Sequence, residues 1–128
     1  LIGVSCYDDF ERARSVVAAG ADYVAFGSFF ASSTKPAARR ADRALLADAR
    51  ALGVPVVAIG GITAANARVL FDAGVDAVAV IADVFAHDSD DAIARAAAAI
   101  AATRSAPSPA IAAATSPRMA DAQGRGAA

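Results

Sequence analysis

The sequence predicts an α/β protein built from about four consecutive βα units, and three observations support this prediction. Apolar, strand-like runs alternate with helix-like runs along the chain. A glycine follows each of the first three predicted helices, as is usual at helix ends. The segment Ala19–Ala25, AGADYVA, recurs as Ala73–Ala79, AGVDAVA, two units further along. A repeat with this offset is expected of a βα-repeat architecture.

Four short apolar segments are predicted to be strands. They are Leu1–Val4, Tyr23–Phe26, Val54–Ile59 and Val75–Ile81. The second of them is apolar throughout, which is typical of a parallel strand that is covered on both faces. The sequence therefore predicts a parallel sheet with helices packed against it.

A helix is predicted after each strand. The first begins after Asp8 or Asp9, either of which can cap it, and ends at Gly20. Its apolar face consists of Phe10, Ala13, Val16 and Val17. The other three are predicted over about Asp42–Leu52, over Ala64–Ala73 with Thr63 as N-cap, and over Asp88–Ala102.

Four βα units fit either half of an eight-stranded TIM barrel or a small doubly wound sheet. Both architectures place ligands beyond the carboxyl ends of the strands. Glycine-led loops after the last two strands are typical of phosphate sites in barrels, so the barrel is favoured. The barrel-like domain is predicted to span residues 1–104. Ser105–Ala128 mixes Ala, Pro, Ser and Gly without periodicity and is predicted to be disordered.

The amino-acid composition and net charge argue against some classes of binding partner. The chain of 128 residues is 57% hydrophobic and 20% charged, as globular proteins are, and its formal net charge is −1. Its basic residues are scattered, so neither nucleic acid nor an anionic membrane is an expected partner. No apolar run reaches the ~18 residues of a membrane span, and no secretory signal is recognisable. A single cysteine cannot form an internal disulfide, and we expect a cytoplasmic protein.

Two consecutive glycines follow the third predicted strand. Gly60 and Gly61 allow a sharp turn and let backbone N–H groups approach an anion without obstruction by side chains. The helix predicted just after them would add its positive end. Backbone N–H groups at Ile81 and Ala82, after the fourth strand, are predicted to complete the same phosphate site. A tight turn without a ligand is the alternative.

A loop rich in hydroxyl groups follows the second predicted strand. It contains Ser32, Ser33, Thr34 and Lys35, the last being the only lysine of the chain. Hydroxyl groups can bind a phosphate or a polar heterocycle, and the ammonium group supplies a mobile charge for a diphosphate. An ordinary solvated loop is the alternative, but loops of this length in compact domains are frequently functional.

The remaining reactive side chains are few. Ser5 is predicted to end the first strand, with its side chain directed into the mouth of the barrel. Cys6 is interpreted as a small buried residue, because no histidine-centred dyad can be assembled with it. His87 is expected to be exposed in a polar turn. No metal-ligand spacing is present, so the sequence predicts no metal site of its own.

Four segments together identify a family resemblance. IGVSCYDD, GADYVAFGSFFASSTKP, VPVVAIGGITAANA and AGVDAVAVIADVF occur in this order over about Leu1–Phe85. They closely resemble the carboxyl-terminal half of thiamine-phosphate synthase, in the superfamily that includes the thiazole tautomerases. The resemblance implies half of a TIM barrel and a transferase. Its reaction joins hydroxymethylpyrimidine diphosphate to thiazole phosphate, giving thiamine phosphate and pyrophosphate.

The resemblance also assigns roles to the candidate residues. Ser32–Thr34 match a loop that contacts the thiazole phosphate, and Lys35 matches a lysine that contacts the pyrimidine diphosphate. Gly61 and Ile81–Ala82 match the backbone phosphate site for the thiazole substrate. Ser5 matches a strand-end serine near the pyrimidine and the pyrophosphate. Ser5 and Lys35 are therefore the candidate catalytic residues.

The resemblance finally implies what this sequence lacks. In the family, the amino-terminal half carries most of the pyrimidine pocket and the aspartates that hold magnesium. Mg²⁺ is therefore an implied cofactor whose ligands are not in this chain, and the chain is expected to be a fragment that is incomplete for catalysis. Half of a barrel has open sheet edges and an uncovered interior, so the isolated chain is expected either to fold poorly or to associate with itself as a homo-oligomer. A tautomerase or regulator-like barrel protein, or an inactive phosphate-binding remnant, are the alternative functions.

Overall fold

The structure, a computed structural model, describes residues 1–33, 36–37 and 39–104. Four strands form one parallel sheet in the order β1-β2-β3-β4. They are β1 (Gly3–Tyr7), β2 (Tyr23–Phe26), β3 (Val56–Ile59) and β4 (Ala77–Ala79). The prediction of a parallel βα repeat is confirmed. The segment predicted to be disordered, residues 105–128, lies outside the described residues, and its disorder stays a prediction.

Five α-helices accompany the strands in the described part of the chain. They are α1 (Phe10–Ala18), α2 (Ala44–Ala49), α3 (Ala67–Asp72), α4 (Ala82–Phe85) and α5 (Asp90–Ala101). A 3₁₀ turn over Arg50–Leu52 extends α2. None of these helices combines the length and the apolar character that crossing a lipid bilayer would require.

The strand order decides between the two architectures that the sequence left open. Each strand lies beside the strand that precedes it in the chain. A doubly wound sheet would instead reverse its strand order at a switch point. Because crossovers between parallel strands are right-handed, a sequential order places the crossover helices on the same face of the sheet, as in a TIM barrel. The doubly wound alternative is therefore wrong.

The sheet is covered on one face only in the described part of the chain. Val24, Phe26 and Val56 alternate onto the helix side and are almost completely buried. The opposite face carries Ser5, which is exposed, and Ile59, which is 37% exposed. In β2 the residues of this face, Tyr23 and Ala25, are half-buried, so the prediction that β2 is covered on both faces holds in full only for its helix side. The uncovered face is the one that a closed barrel would turn inward.

The internal repeat has a structural role. In its first copy, Asp22 accepts a hydrogen bond from the N–H of Ile2 at 2.6 Å and donates its own N–H to the Ile2 carbonyl at 2.8 Å. In the second copy, Asp76 makes the same pair of bonds with Val56, at 2.7 and 2.9 Å. Each aspartate thus joins the beginning of one strand to the beginning of its neighbour. The repeat maintains the alignment of adjacent strands.

The third predicted helix begins later than the sequence indicated. Residues 64–66 form a turn, and α3 begins at Ala67. In this turn the Thr63 carbonyl accepts hydrogen bonds from the N–H groups of Asn66 and Ala67, at 3.2 and 2.9 Å. No side chain caps α3, so the prediction that Thr63 caps the helix is wrong. The first helix is capped by Asp9, whose side chain accepts the N–H of Arg12 at 2.9 Å.

Candidate functional site

The loops at the carboxyl edge of the sheet are joined to one another by direct contacts. The loop after β1 contacts the loop after β2 at two points. The N–H of Gly27 donates to the Tyr7 carbonyl at 2.9 Å. Arg39 forms an ion pair with Asp8 at 2.6 Å. Asp8, one of the two residues predicted to cap the first helix, therefore holds the long loop after β2 instead.

The loop after β2 also packs closely against the two glycines after β3. The N–H of Phe30 donates to the Gly60 carbonyl at 3.2 Å. Gly60 and Gly61 have φ angles of +102° and +63°. A Cβ atom on Gly61 would lie 2.5 Å from the Ala31 carbonyl oxygen and 2.7 Å from that of Phe30. Both glycines are required here, by the backbone conformation and by the close approach of the two loops.

The loops after β3 and β4 are joined by a carboxylate. Asp83 accepts a hydrogen bond from the N–H of Ala64 at 3.1 Å. Asp83 lies in the first turn of α4, directly after Ala82. The segments that contain Gly61 and Ala82, which were predicted to share a phosphate site, are therefore connected. All four strand-end loops form one continuous rim.

At two predicted positions, the backbone N–H group has no acceptor within the described part of the chain. Among the residues that the structure describes, neither the N–H of Gly61 nor that of Ala82 donates a hydrogen bond. Ala82 begins α4, where the first N–H groups of a helix lack intrahelical partners. Ile81, the residue before it, is 67% exposed. These N–H groups are chemically suited to bind an anion.

The hydroxyl-rich loop is only partly described. Ser32 is half-buried and Ser33 is exposed. Both follow Phe30 and Ala31, whose backbone lies against Gly61, so the loop brings these serines toward the glycine turn. Thr34 and Lys35 lie outside the described residues, and their assignments stay predictions.

Ser5 lies inside the first strand and not at its end. The strand continues to Tyr7, and the register with β2 shifts between Ser5 and Tyr7. A bulge of this kind adds a residue to one strand, which periodicity does not reveal. The Ser5 side chain is exposed on the uncovered sheet face. The Arg12 side chain donates to the Ser5 carbonyl at 3.1 Å and lies 5.8 Å from the centre of the Tyr7 ring.

The predicted contribution of a helix dipole at Gly61 is not supported. The helix α3 has six residues and begins at Ala67, after the intervening turn. The electrostatic effect of a helix terminus falls off within about one turn. Any anion at Gly61 would therefore be bound by individual backbone N–H groups.

The described residues do not provide a metal site. No group of three or more His, Cys, Asp or Glu side chains in residues 1–33, 36–37 and 39–104 is arranged to hold a metal ion. His87 is exposed, and its Nε2 lies 3.1 Å from the Asp83 carbonyl oxygen. These residues do not fit a magnesium ion, so no chemical step through magnesium is derived from this chain.

Two residues of the rim, Asn66 and Asp83, were not predicted from the sequence. Asn66 accepts the N–H of Thr63 at 2.8 Å through Oδ1 and donates through Nδ2 to the Gly61 carbonyl at 2.9 Å. Asn66 is the only asparagine of the chain and lies in an apolar, alanine-rich segment. A polar amide in such a segment could have indicated a specific hydrogen bond. The turn that directs the amide toward Gly61, however, cannot be recognised from the sequence.

Cys6 allows a prediction about pH dependence. The residue has no exposed surface. Burial raises the pKa of the Cys6 thiol above its ordinary value, Arg12 acts in the opposite direction, and Asp9 adds to the rise. The folded chain therefore retains the thiol proton to higher pH than the unfolded chain. The stability contribution is complete below the thiol pKa of the unfolded chain, about 8.5, and is lost as the pH rises through the folded pKa.

This dependence is measured by urea unfolding at several pH values between 7 and 10. We expect the parent chain to lose stability relative to Cys6→Ala, which lacks the titrating group, as the pH rises. A difference in the free energy of unfolding that stays constant over this range would contradict the prediction.

Comparisons with known proteins identify relatives of this chain. A family model described as thiamine monophosphate synthase matches residues 1–84. The thiamine-phosphate synthase of Azoarcus sp. (strain BH72) is 64% identical over 87 residues, which cover 67% of this chain and 42% of that protein. The thiamine-phosphate synthase of Thiobacillus denitrificans is 62% identical over 85 residues, covering 66% of this chain and 40% of that protein.

A solved structure supports the same relationship. Thiamine phosphate pyrophosphorylase from Pyrococcus furiosus superposes with a TM-score of 0.68 and 34% sequence identity, covering 80% of this chain and 47% of that one. The chain thus spans less than half the length of each of these relatives. With the sequential parallel sheet, this match confirms the predicted partial barrel.

Proposed function

This chain belongs to the thiamine monophosphate synthase family, and we propose that it provides the thiazole phosphate-binding half of a thiamine-phosphate synthase. The complete enzyme would join hydroxymethylpyrimidine diphosphate to thiazole phosphate and release pyrophosphate. Because the chain spans less than half of its relatives, this activity would require the part that they contain in addition.

The observation that carries this proposal is the construction of the rim around the glycine turn. Gly60 and Gly61 are packed against the backbone of Phe30 and Ala31, so the hydroxyl-rich loop follows directly from the turn. Asp83 joins the same turn region to the beginning of α4. Backbone N–H groups after β3 and β4 and the hydroxyl-bearing loop after β2 thereby lie at one edge of the sheet, which suits a phosphate monoester.

The arrangement supports the proposed roles of Gly61 and Ile81–Ala82, and the family resemblance supports the others. Gly61 and Ile81–Ala82 would bind the thiazole phosphate through backbone N–H groups, and Ser32–Thr34 would add hydroxyl groups. Lys35 would neutralise the departing pyrophosphate, and Ser5 would lie beside it. In the family's reaction the pyrophosphate departs and the thiazole nitrogen captures the pyrimidinylmethyl cation. Such chemistry depends on placement and on stabilisation of the leaving group, and no nucleophilic side chain is required.

The proposal also covers the cofactor, the cellular compartment and self-association of the chain. Mg²⁺ is proposed as a cofactor that residues outside this chain would hold. The cytoplasm is the proposed compartment. Association of the chain with itself is proposed from its uncovered sheet face, where Ile59 is exposed.

The activity is tested by complementation. The purified chain is mixed with the part of the Azoarcus protein that it does not match, and thiamine phosphate is measured with both substrates and Mg²⁺. We expect product from the mixture and from neither part alone. Lys35→Ala should lower the rate at least ~100-fold, since one transition-state contact to charge contributes about 2.7 kcal/mol or more. Arg40→Ala, which removes a charge from the same loop, should leave it unchanged.

Two other results would redirect the proposal. A mixture that binds thiazole phosphate but forms no product would favour the inactive remnant. Isomerisation of the thiazole ring without the pyrimidine substrate would favour the tautomerase. Omission of Mg²⁺ tests the cofactor separately, and an undiminished rate would remove it.

Binding of the phosphate substrate is tested on this chain by a thermal melt followed by circular dichroism. Thiazole phosphate at ~100 times its dissociation constant should stabilise the folded chain by about 2.7 kcal/mol. For a domain of this size that corresponds to an increase in Tm of roughly 10 to 20 °C. A cooperative transition that thiazole phosphate does not raise would contradict the proposed phosphate site.

A further inference from the structure

Two peptide groups of the glycine turn are restrained by hydrogen bonds from different sources. The Gly60 carbonyl accepts the N–H of Phe30 at 3.2 Å. The Gly61 carbonyl accepts the Nδ2 of Asn66 at 2.9 Å. These peptides are trans, and the carbonyl and N–H of a trans peptide point in opposite directions. The N–H of Gly61 therefore points away from Phe30, and the N–H of Ile62 points away from the Asn66 side chain.

The Asn66 side chain is itself held in place. Its Oδ1 accepts the N–H of Thr63 at 2.8 Å, and its backbone N–H donates to the Thr63 carbonyl at 3.2 Å. Both polar atoms of the amide are thus used within one loop, and the side chain is half-buried. An amide with one acceptor and one donor fits these two contacts, and a carboxylate or an apolar side chain does not.

The turn needs such restraint because it consists of two glycines. Glycine has the greatest conformational freedom of all residues, so an isolated pair would sample many arrangements of its peptide groups. A site that binds an anion through backbone N–H groups gains affinity when those groups are already oriented, because binding then costs less ordering. Phe30 fixes the Gly60–Gly61 peptide group through a hydrogen bond from its backbone N–H. Asn66 fixes the Gly61–Ile62 peptide group through a hydrogen bond from its side chain.

We propose that Asn66 is a positioning residue that holds the Gly61–Ile62 peptide group, and with it the adjoining N–H of Gly61, in the orientation that binds the phosphate of the thiazole substrate. This inference rests on the proposed function, since it names how the same turn is prepared for its ligand. Asn66 acts through the backbone, and the inference requires no contact between its side chain and the substrate. Its loss should therefore weaken phosphate binding more than it weakens the fold.

The test compares Asn66→Ala and Asn66→Asp with the parent by isothermal titration, below the Tm of each chain. Asn66→Ala removes both side-chain contacts. Asn66→Asp keeps an acceptor for Thr63 but loses the donor to Gly61. We expect the Kd for thiazole phosphate to rise roughly 10-fold in Asn66→Ala, as the loss of one hydrogen bond would give. The rise should be larger in Asn66→Asp, because its carboxylate would repel both the Gly61 carbonyl oxygen and the phosphate. The Kd for the unphosphorylated thiazole alcohol should not change in either variant.

A matched control separates positioning from general loss of stability. Ser89 caps α5 by accepting the N–H of Ala92 at 3.3 Å and takes no part in the glycine turn. Ser89→Ala should lower the Tm and leave the Kd for thiazole phosphate unchanged. A Kd in both Asn66 variants within two-fold of the parent value would overturn the proposed role of Asn66 alone. A parent chain that does not bind thiazole phosphate would overturn the proposed function, and this inference with it.

Discussion

Replacement of Gly61 by alanine is expected to abolish thiazole phosphate binding and to destabilise the chain by about 2 to 5 kcal/mol. The left-handed conformation, with φ at +63°, costs an alanine about 1 to 2 kcal/mol. Its Cβ would also lie 2.5 Å from the carbonyl oxygen of Ala31, so the two loops must separate. Forced displacement in a packed region costs a further ~1 to 3 kcal/mol. Because both loops carry candidate ligands, this displacement should also remove the site.

Gly53→Ala provides the matched control. Gly53 has a φ of +73°, and a Cβ atom built on it meets nothing within 4 Å. This substitution should lower the free energy of unfolding by only about 1 to 2 kcal/mol, because an alanine is strained in the left-handed conformation. It should leave the ligand-induced rise in Tm unchanged. Chemical unfolding and the thermal melt with thiazole phosphate measure both quantities. Equal losses of stability in the two variants would show that the loops do not pack closely at Gly61.

Asp76→Ala is expected to be the most destabilising substitution of a polar side chain in the described part of the chain. Asp76 is 7% exposed and accepts the N–H of Val56, a residue with 1% exposure, at 2.7 Å. Removal of the carboxylate leaves that N–H buried without an acceptor, and hydrogen bonds to charged groups are the stronger ones. We expect a loss of about 3 kcal/mol, which corresponds to a decrease in Tm on the order of 10 to 20 °C.

The internal repeat supplies the control for this substitution. Asp22 makes the equivalent bonds to Ile2, but Ile2 is 66% exposed, so water can replace the lost acceptor. Asp22→Ala should therefore cost about 1 kcal/mol. Asp76→Asn, which keeps an acceptor oxygen, should fall between the two alanine variants. Urea unfolding ranks the three, and an Asp22→Ala variant as unstable as Asp76→Ala would contradict the role assigned to burial.

Much of the fold could be predicted because its signals are local. Gly20, Gly53 and Gly74 all have positive φ angles, as expected of glycines that end helices. The Asp9 cap and the apolar strand segments depend on neighbouring residues alone. The glycine turn was recognisable for the same reason, since two adjacent glycines directly after an apolar strand favour a sharp change of chain direction.

Other features could not be predicted because they depend on contacts between distant segments. The bulge that extends β1 past Ser5 appears only in its register with β2. The turn before α3 replaced a predicted helical start, because Asn66 bonds to Gly61 and Thr63 instead of continuing the helix. Asp8 was predicted as a possible cap, but its partner is Arg39, far along the chain. No local pattern encodes such pairings.

The parallel βα repeat, the family and the glycine turn can be read from the amino-acid sequence, since periodicity, capping residues and short motifs are properties of adjacent residues. The strand order, the uncovered face of the sheet and the continuous rim of loops emerge only in the folded chain. These features arise when backbone groups from separate loops satisfy one another, as Phe30 does for Gly60 and Asp83 does for Ala64. Such pairs form only when segments that are distant in the sequence come together, so a local pattern of residues does not specify them.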